Sequence, residues 1–215
     1  MKRYKYPRTY HVPWSPGATS DDKTHSMLQV NEMFHHQEVV VTEKLDGENS
    51  SIYADAYTHA RSIDSAHHPS RSRLKALASE ISHNIPDGFR LCGENVYAKH
   101  SIAYSNLSSY FYLFSIFDGE NCLSWKDTQE YAALLELSLV PVLYQGMWDP
   151  KIIRACWTGR SHAGDVGEGY VIRLASSFSL SSFSKSVAKF VRANHVQTDT
   201  HWMHQSITPN TLRSS

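Results

Sequence analysis

The stretch VVVTEKLDGENSSIYAD, from Val39 to Asp55, places a lysine in an unusual setting. A run of β-branched residues leads into Lys44, and the tight turn LDGEN follows at once. The run predicts a strand over Val39–Glu43, and the turn predicts that Ser51–Ala54 is its hairpin partner. A surface lysine needs no such setting, whereas a reactive lysine needs partial burial beside other charged groups. The stretch therefore predicts a β-rich region with Lys44 as a candidate reactive residue.

The composition fits a folded chain with balanced charge. The chain has 215 residues, of which 41% are apolar, so it can bury the core of one sizeable α/β or α+β domain, or of two small ones. Lys and Arg together number 21, as do Asp and Glu, and the formal net charge is therefore zero. This balance excludes nucleic-acid binding driven by overall positive charge, so any basic site must be local.

The cysteines and the N-terminus predict the cellular compartment of the protein. Cys92, Cys122 and Cys156 are widely spaced and form no C-x-x-C pair, which argues against a disulfide framework or a zinc ribbon and favours a reducing environment. The basic N-terminus lacks an apolar signal region, and no apolar run approaches the length of a membrane span. These features predict a soluble, cytoplasmic protein without a membrane partner.

The hydrophobic pattern predicts further strands and a few helices. Strands are predicted at Phe89–Asn95, Tyr110–Phe117, Leu139–Tyr144, Glu168–Leu174 and Val187–Ala193. Helices are predicted over Ser70–Ser82, after the N-terminal capping residue Ser124, and from Pro150 to Gly159. The pattern predicts an α+β fold with mainly antiparallel sheets and flanking helices.

The chain shows no linker that would divide it. We therefore expect a single domain over 1–215, with 1–27 as an N-terminal arm and 198–215 as a C-terminal tail. The serine-rich segment Ala175–Ser186 is expected to be a flexible loop between two strands, of the kind that often covers a substrate.

Four further segments carry polar residues on predicted strands in a set order. They are RLCGENVYAKHSIAY (Arg90–Tyr104), FYLFSIFD (Phe111–Asp118), EGYVIRL (Glu168–Leu174) and SKSVAKFVRANHV (Ser184–Val196). Together with the K-L-D-G motif at Lys44, they resemble the ordered motifs of the covalent nucleotidyltransferase superfamily, which contains RNA ligases, DNA ligases and mRNA capping enzymes. Within it the chain is most similar to the ATP-dependent RNA ligase family, over roughly 38–197.

The resemblance implies a fold and an activity. The implied fold is a ligase adenylation domain without an OB-fold, since only about twenty residues follow Val196. The implied activity joins 5′-phosphate and 3′-hydroxyl RNA ends through a covalent lysine–AMP intermediate and an adenylylated 5′ end. The implied cofactors are ATP and Mg²⁺ or Mn²⁺, and the implied partners are RNA ends.

The resemblance also implies roles for individual residues. Lys44 matches the nucleophile that carries AMP, Glu168 the metal ligand, and Glu94 the acid that holds the ribose. Arg61 matches the arginine that contacts phosphate or the RNA 3′ end. The implied nucleotide-binding set is completed by Glu43, Asn49, Phe114, Lys185, Lys189 and Arg192.

Physical chemistry adds expectations for this set. An attacking amine must be unprotonated, although the reference pKa of lysine is about 10.4, so burial and nearby cations are expected to depress the pKa of Lys44. The phosphates of ATP need cations, for which Lys185, Lys189, Arg192 and Arg61 are candidates. RNA is expected to bind in a salt-dependent manner at a local patch near Lys99, Arg71, Arg73 and Lys75.

Several alternatives stay open at this stage. Phe114 lies among other aromatics and fits a core position as well as a platform for adenine. The segment Tyr6–Asp22 either covers the nucleotide pocket or packs as an arm. The histidine clusters, such as His195, His201 and His204, have no companion cysteine pair or H-E-x-x-H motif and do not predict a zinc site.

Rival functions come from two classes. A DNA-nick ligase and a capping-type guanylyltransferase share the covalent chemistry, but the expected lack of an OB-fold counts against both. An inactive module that binds nucleotides or RNA ends would need no nucleophile, and the intact Lys44, Glu94 and Glu168 count against it. A ligase subunit of a repair complex, with a protein partner that supplies substrate specificity, is a third alternative.

Overall fold

The computed structural model describes residues 2–64, 68–195 and 207–214, which form two β-sheets with helices packed against them. The first sheet has the spatial order β1 (Tyr10–His11), β12 (Val187–Val191), β10 (Gly169–Leu174), β2 (Glu38–Lys44) and β9 (Val142–Met147). The second sheet has the order β11 (Phe178–Ser179), β7 (Asn121–Cys122), β6 (Phe111–Asp118), β5 (Phe89–Asn95), β3 (Glu48–Tyr53) and β4 (Thr58–Ala60), and β8 (Ser138–Leu139) pairs with β6.

Most strand pairs in both sheets are antiparallel. The exceptions are β1 with β12 and β6 with β8, which pair in parallel. The predicted α+β class with mainly antiparallel sheets is therefore confirmed.

The helices are short and each buries one stripe of apolar residues. They are α1 (Met27–Phe34), α2 (Ser72–Ile81), α3 (Trp125–Leu134) and α4 (Pro150–Ala155), and 3₁₀ helices cover Pro69–Arg71, Ser82–Asn84 and Leu180–Lys185. In α2 the buried residues Leu74, Ala78 and Ile81 follow the helical period. The helix predicted from Pro150 to Gly159 ends at Ala155.

Strand β2 is buried on both faces. Val39 and Val41 belong to the same apolar cluster as Phe34 of α1. Val40 points the other way, because side chains alternate along a strand, and joins Tyr112 of β6 in a cluster between the sheets. The end of β2, where Lys44 lies, is therefore held rigidly by packing on both sides.

The predicted hairpin between Val39–Glu43 and Ser51–Ala54 is wrong. Strand β2 pairs with β9 and β10, whereas β3 pairs with β4 and β5. The turn between β2 and β3 is an internal crossing from one sheet to the other. Leu45 in this turn is buried, and the Asp46 carboxylate accepts hydrogen bonds from the backbone N–H groups of Ser101 and Ile102 at 2.9 and 2.7 Å.

The serine-rich segment is also more ordered than its composition predicts. Ala175–Ser186 contains β11 and the 3₁₀ helix Leu180–Lys185, so the prediction of a flexible loop is wrong. The buried rings of Phe178 and Phe183 anchor it to an apolar cluster. The strand predicted at Leu139–Tyr144 is divided between β8 and β9, and the strand predicted to reach Ala193 ends at Val191.

Both ends of the described chain are attached to the sheets. In the arm, β1 extends the first sheet beside β12, and the side chain of Tyr6 is buried. In the tail, the Asn210 amide accepts a hydrogen bond from Tyr104 N at 2.8 Å and donates one to Val96 O at 2.8 Å.

Part of the tail, with His201 and His204, lies outside the described residues, as does His67. Within the described part of the chain, each helix is too short or too polar to cross a membrane.

Candidate active site

A buried ion pair lies where two strands of the first sheet meet. Lys44 is the last residue of β2, and Glu168 directly precedes Gly169, which is paired with Lys44. The Lys44 Nζ atom lies 2.7 Å from Glu168 Oε1 and 2.8 Å from Oε2. The glutamate side chain is 3% exposed and the lysine side chain is 24% exposed, so the pair is reached from one side only.

Gly169 allows the strands at this point to approach closely. A Cβ atom at Gly169 would lie 1.9 Å from the carbonyl oxygen of Phe190 on β12, a distance that no side chain tolerates. The glycine therefore positions the preceding Glu168 against Lys44 while keeping β10 in register with β12.

Lys44 and Glu168 carry opposite charges, and each favours the ionised form of the other. Burial disfavours the ammonium form of Lys44, but the negative charge of Glu168, followed by that of Glu94, outweighs burial and raises the pKa of the amine above its ordinary value. The sequence predicted a depressed pKa caused by burial and by a metal ion or other cations nearby, and the side chains of the protein alone act in the opposite direction. Burial likewise disfavours the Glu168 carboxylate, but the charge of Lys44 lowers its pKa.

Two further donors join Glu168 in a set that fits a divalent metal ion. One ligand atom each from Asp46, Glu168 and His195 lies within 4.8 Å of the others. His195 Nε2 is 3.2 Å from Glu168 Oε1 and 3.7 Å from Asp46 Oδ1, and the imidazole is 3% exposed. Two carboxylates with an imidazole form a donor set that suits Mn²⁺ and its neighbours and also offers oxygen to Mg²⁺.

Glu94 and Asn49 face the pair from the second sheet. They lie directly opposite each other on β5 and β3, so their side chains share a face of the sheet. Burial raises the pKa of Glu94 to about 8, although the charge of Lys44 opposes this shift, and one carboxylate oxygen accepts a hydrogen bond from Gly47 N at 3.2 Å. The Asn49 Oδ1 atom is buried without a hydrogen-bond partner among the described residues, which suits an acceptor reserved for a bound molecule.

The predicted phosphate-binding cations divide into two groups. Lys189 on β12 is partly buried, and burial, together with the charge of Lys44, lowers the pKa of its amine to about 8. Arg192 donates its backbone N–H to Glu168 O at 2.9 Å, and its Nε atom is buried without a partner in the described region. Lys185 is exposed at the end of its 3₁₀ helix and takes no part in this network.

Phe114 and Glu43, which were also predicted to contact the nucleotide, lie in different environments. Phe114 on β6 is half-buried, and its ring meets the ring of Tyr6 edge-on at 5.4 Å between centroids. The Glu43 carboxylate is buried and bonded to His162 N and Nδ1, both at 3.0 Å, and Glu43 N donates to Pro141 O. These bonds use Oε2 of Glu43 and its backbone N–H, whereas its Oε1 atom is buried without a hydrogen-bond partner among the described residues.

The predicted RNA patch needs one correction. Arg71 is buried, and its Nε atom lies 2.7 Å from both carboxylate oxygens of Glu48, so it belongs to an internal ion pair. Lys99, Arg73 and Lys75 are exposed as expected. The Arg73 guanidinium lies 5.3 Å from the ring centroid of Tyr97.

The sequence model of the RNA ligase family matches residues 37–191. A search of curated protein sequences finds no match.

Solved structures of ligases share the fold. An RNA ligase of Naegleria gruberi, solved with PPi, has a TM-score of 0.55 and 23% identity over 77% of this chain and 52% of its own. A putative ATP-dependent DNA ligase from Aquifex aeolicus gives 0.58 and 19%, over 88% of this chain and 50% of its own. An archaeal ATP-dependent RNA ligase gives 0.57 and 15%, over 87% and 48%.

The extent of these matches limits what they show. The chain spans about half the length of these ligases, and at these identities the likeness shows the fold alone. Mutants of the Naegleria enzyme have been solved with ATP and Mn and with AMP and Mn.

Proposed function

Because the chain belongs to the RNA ligase family, we propose that it is an ATP-dependent RNA ligase whose nucleophile is Lys44. The observation that carries the proposal is the buried pair of Lys44 and Glu168, 2.7 Å apart, at adjoining strand ends within the segment that matches the family. We further propose that residues 1–215 act as one nucleotidyltransferase domain, which the pairing of β1 with β12 supports.

In the first step, Lys44 takes AMP from ATP. The Nζ lone pair attacks the α-phosphorus, an N–P bond forms, the bond to the bridging oxygen breaks, and pyrophosphate leaves. Lys44 must lose its proton before it attacks, and in this proposal the proton passes to water, because the lowered pKa of Glu168 makes that carboxylate a poor base. The raised pKa of the amine makes this proton transfer part of the barrier.

The next two steps use the covalent AMP. An oxygen of the RNA 5′-phosphate attacks the same phosphorus, the N–P bond breaks, and Lys44 regains a proton. The 3′-hydroxyl of a second strand then attacks the 5′-phosphate, loses its proton to solvent, forms the phosphodiester bond and releases AMP.

The nucleotide is held by residues from both sheets in this proposal. Glu94 and the unpartnered Asn49 Oδ1 accept hydrogen bonds from the hydroxyl or amino groups of the nucleoside. Lys189 and Arg192 bind the phosphates, and the buried Arg192 Nε lacks a partner that a phosphate oxygen would supply. Phe114 offers a ring face to adenine while its contact with Tyr6 fixes its position.

Glu168, Asp46 and His195 would hold the divalent metal. When bound, such an ion supplies positive charge that offsets the phosphate oxygens and the leaving pyrophosphate. The ATP and Mn in a mutant of the Naegleria ligase support a divalent metal ion as a cofactor beside ATP. Around the metal, Asp46 is fixed by three hydrogen bonds from Ser101 and Ile102, so its free oxygen faces the site.

We also propose a cellular location and a protein partner for this chain. The free thiols of Cys92, Cys122 and Cys156 support a reducing compartment, and we place the protein in the cytoplasm. The net charge of zero favours modest RNA affinity, so we keep the proposal that a protein partner supplies substrate specificity.

The decisive experiment is self-adenylylation. Protein is incubated with α-labelled ATP and Mg²⁺ or Mn²⁺ and separated on a denaturing gel, for the wild type, Lys44→Ala and the control Lys126→Ala, whose lysine is exposed on α3. We expect a labelled band in the wild type and the control, and a loss of at least about a hundredfold in Lys44→Ala because the nucleophile is removed.

Other outcomes would change the proposal. Labelling with GTP but not ATP would indicate a capping-type enzyme. Ligation of nicked DNA but not RNA would indicate a DNA ligase. Folded protein that labels with no nucleotide would contradict the enzyme and favour an inactive binding module.

A further inference from the structure

A positively charged groove lies between the N-terminal arm and the turn that follows β4. Its volume is about 620 Å³, and it is lined by Lys5, Tyr6, Pro7, Arg8, Arg61 and Ser62. The arm contributes two of the three cations, and these lie outside the segment that matches the family model, which begins at residue 37.

The sequence Lys5-Tyr6-Pro7-Arg8 is built to hold its two cations in place. Tyr6 between them is buried, and its ring contacts those of Phe114 and Phe183 at 5.4 and 5.3 Å between centroids. The ring of Pro7 fixes the backbone angle φ of Pro7 itself and restricts the conformation of Tyr6 before it. Lys5 and Arg8 are therefore presented on the surface by an anchored segment, and ordering them costs little conformational entropy when a ligand binds.

Arg8 is also fixed from the other side. Its guanidinium donates to Asp21 O at 2.8 Å and to Asp22 Oδ1 at 3.2 Å. These bonds leave further donors of the same guanidinium for the groove, because arginine carries five N–H groups. Arg8 thus keeps its place at the groove although it is ion-paired with Asp22, whereas Lys2 and Arg3 of the same arm pair with Glu120 and Asp55 outside the groove.

The groove is linked to the active site by contacts: Asp22 accepts a hydrogen bond from Arg8 at 3.2 Å and lies 3.5 Å from His11 Nε2, and His11 is paired with Lys189 in the first sheet. Burial is the main cause of the lowered pKa of Lys189, and the charges of Lys44 and, to a smaller extent, Arg61 add to it. Lys5, Arg8 and Arg61 are exposed, unlike the partly buried Lys189. Exposed cations along an open groove suit a chain of phosphates that continues beyond the protein, whereas Lys189 suits the nucleotide bound at Lys44.

We propose that this groove binds the sugar-phosphate backbone of the RNA strand whose end is joined at Lys44. Lys5, Arg8 and Arg61 contact successive phosphate groups, and the anchored arm is thereby part of the RNA-binding surface. The choice of RNA as the polyanion rests on the proposed function, whereas the phosphate-binding groove itself does not.

The test compares the double variant Lys5→Ala/Arg8→Ala with the control Lys2→Ala/Lys126→Ala, which loses the same two charges at exposed positions outside the groove. Binding of a fluorescently labelled single-stranded RNA and of a nicked RNA duplex is measured by anisotropy over a range of salt concentrations, without ATP. We expect the double variant to bind at least about tenfold more weakly, and the slope of log K against log salt for the single strand to fall by about 1.4, since each lost contact removes about 0.7.

Two further measurements separate the outcomes. Lys5→Arg/Arg8→Lys keeps both charges and should restore binding, and thermal denaturation checks that each variant is folded. Adenylylation with labelled ATP should persist in the double variant. If RNA binding of the double variant equals that of Lys2→Ala/Lys126→Ala, or if the wild type binds no RNA, the proposal is wrong.

Failure of the proposed function would look different. If adenylylation falls in the double variant while RNA binding is kept, the groove holds the phosphates of ATP and the proposal is overturned. If the wild type binds RNA through the groove but is never labelled by ATP, the proposal for the groove is supported and the proposed ligase activity is wrong.

Discussion

Lys44 and Glu168 each hold the other in its charged form. Burial alone would favour the neutral forms of both, but their mutual attraction at 2.7 Å raises the pKa of the lysine and lowers that of the glutamate. In this state the Lys44 amine is protonated and has no lone pair with which to attack a phosphorus atom. A metal ion bound to the Glu168 carboxylate would weaken its attraction for the Lys44 ammonium group and so favour the neutral amine. Activation of the lysine would then depend on metal binding.

His195 is the residue that should distinguish metals at this site. Its Nε2 atom lies 3.2 Å from Glu168 Oε1, so a metal held by the two carboxylates would have a nitrogen donor within reach. Mg²⁺ prefers oxygen ligands, whereas Mn²⁺ accepts imidazole more readily. We expect His195→Gln to weaken Mn²⁺ binding about tenfold and Mg²⁺ binding less.

The measurement is a titration of metal-free protein, with free Mn²⁺ followed by electron paramagnetic resonance and Mg²⁺ by competition. His83→Gln, an exposed histidine at the end of α2, is the control. Equal Mn²⁺ affinity in His195→Gln and the control would show that the imidazole is not a ligand.

The sequence predicted those site residues that lie in short ordered motifs. Lys44, Glu94 and Glu168 were identified from their motifs, in which Lys44 follows a β-rich run, Glu94 lies within a predicted strand and Glu168 opens one, and the structure brings Lys44 and Glu168 into direct contact. Asp46 and His195 were not assigned to the site. The first looked like an ordinary turn residue and the second lies beyond the last strand, so only the three-dimensional crossing of the chain brings them to Glu168.

At the scale of elements, the strands were easier to predict than their partners. The β-branched run before Lys44 identifies β2, but a buried strand needs two neighbours, and sequence alternation does not say which. The neighbours of β2 are β9 and β10, far along the chain, because the following turn crosses to the second sheet. The predicted hairpin failed for this reason, and α1 was missed although Ser26 and Gln29 form a capping box.

The attachment of β1 depends on a buried histidine. His11 on β1 is fully buried, with Nδ1 2.8 Å from Ser15 Oγ and Nε2 3.5 Å from Asp22 Oδ1. Burial, together with the charge of Lys189, lowers the pKa of His11 from 6.5 to about 4. The folded arm therefore holds the neutral imidazole, and protonation favours the unfolded chain.

Stability should accordingly fall as the pH is lowered through this window. Between pH 6.5 and 4 the unfolded state binds a proton at His11 that the folded state does not, so a contribution of about 3 kcal/mol, at about 1.4 kcal/mol for each pKa unit, is lost as pH falls. His11→Gln should show a flatter dependence of the urea midpoint on pH over this range. His83→Gln should behave as the wild type, and a wild-type slope in His11→Gln would contradict the assignment.

At the scale of the whole molecule, the site is assembled from both sheets. Lys44, Glu168 and Lys189 come from strands of the first sheet or their ends, whereas Asn49 and Glu94 come from the second. Fold class was predictable from the pattern of strands and helices. The relative position of the sheets was not, because it depends on contacts between residues far apart in sequence.

Arg173 provides such a contact. It lies on β10 and is 4% exposed, yet its guanidinium donates to Leu123 O at 2.7 Å and to Phe114 O at 3.3 Å in the second sheet and the segment that follows it. The same group lies 5.6 Å from the ring centroid of Trp125 and 5.4 Å from that of Phe178. The buried Arg173 guanidinium therefore joins the first sheet to the second through hydrogen bonds to main-chain carbonyl groups.

Arg173→Met keeps the length of the side chain and removes every donor, so the carbonyl groups of Leu123 and Phe114 would stay buried without this partner. We expect the free energy of unfolding to fall by about 3 kcal/mol, measured by urea denaturation. Arg154→Met is the control, because its guanidinium packs 4.4 Å from the ring centroid of Trp14 but is exposed, and it should cost less than about 1 kcal/mol. Since Phe114 O is one of the acceptors, the Arg173 variant should also weaken ATP binding beyond what its lost stability explains. Equal effects of the two substitutions would show that packing alone, and not the buried arginine, sets the position of one sheet on the other.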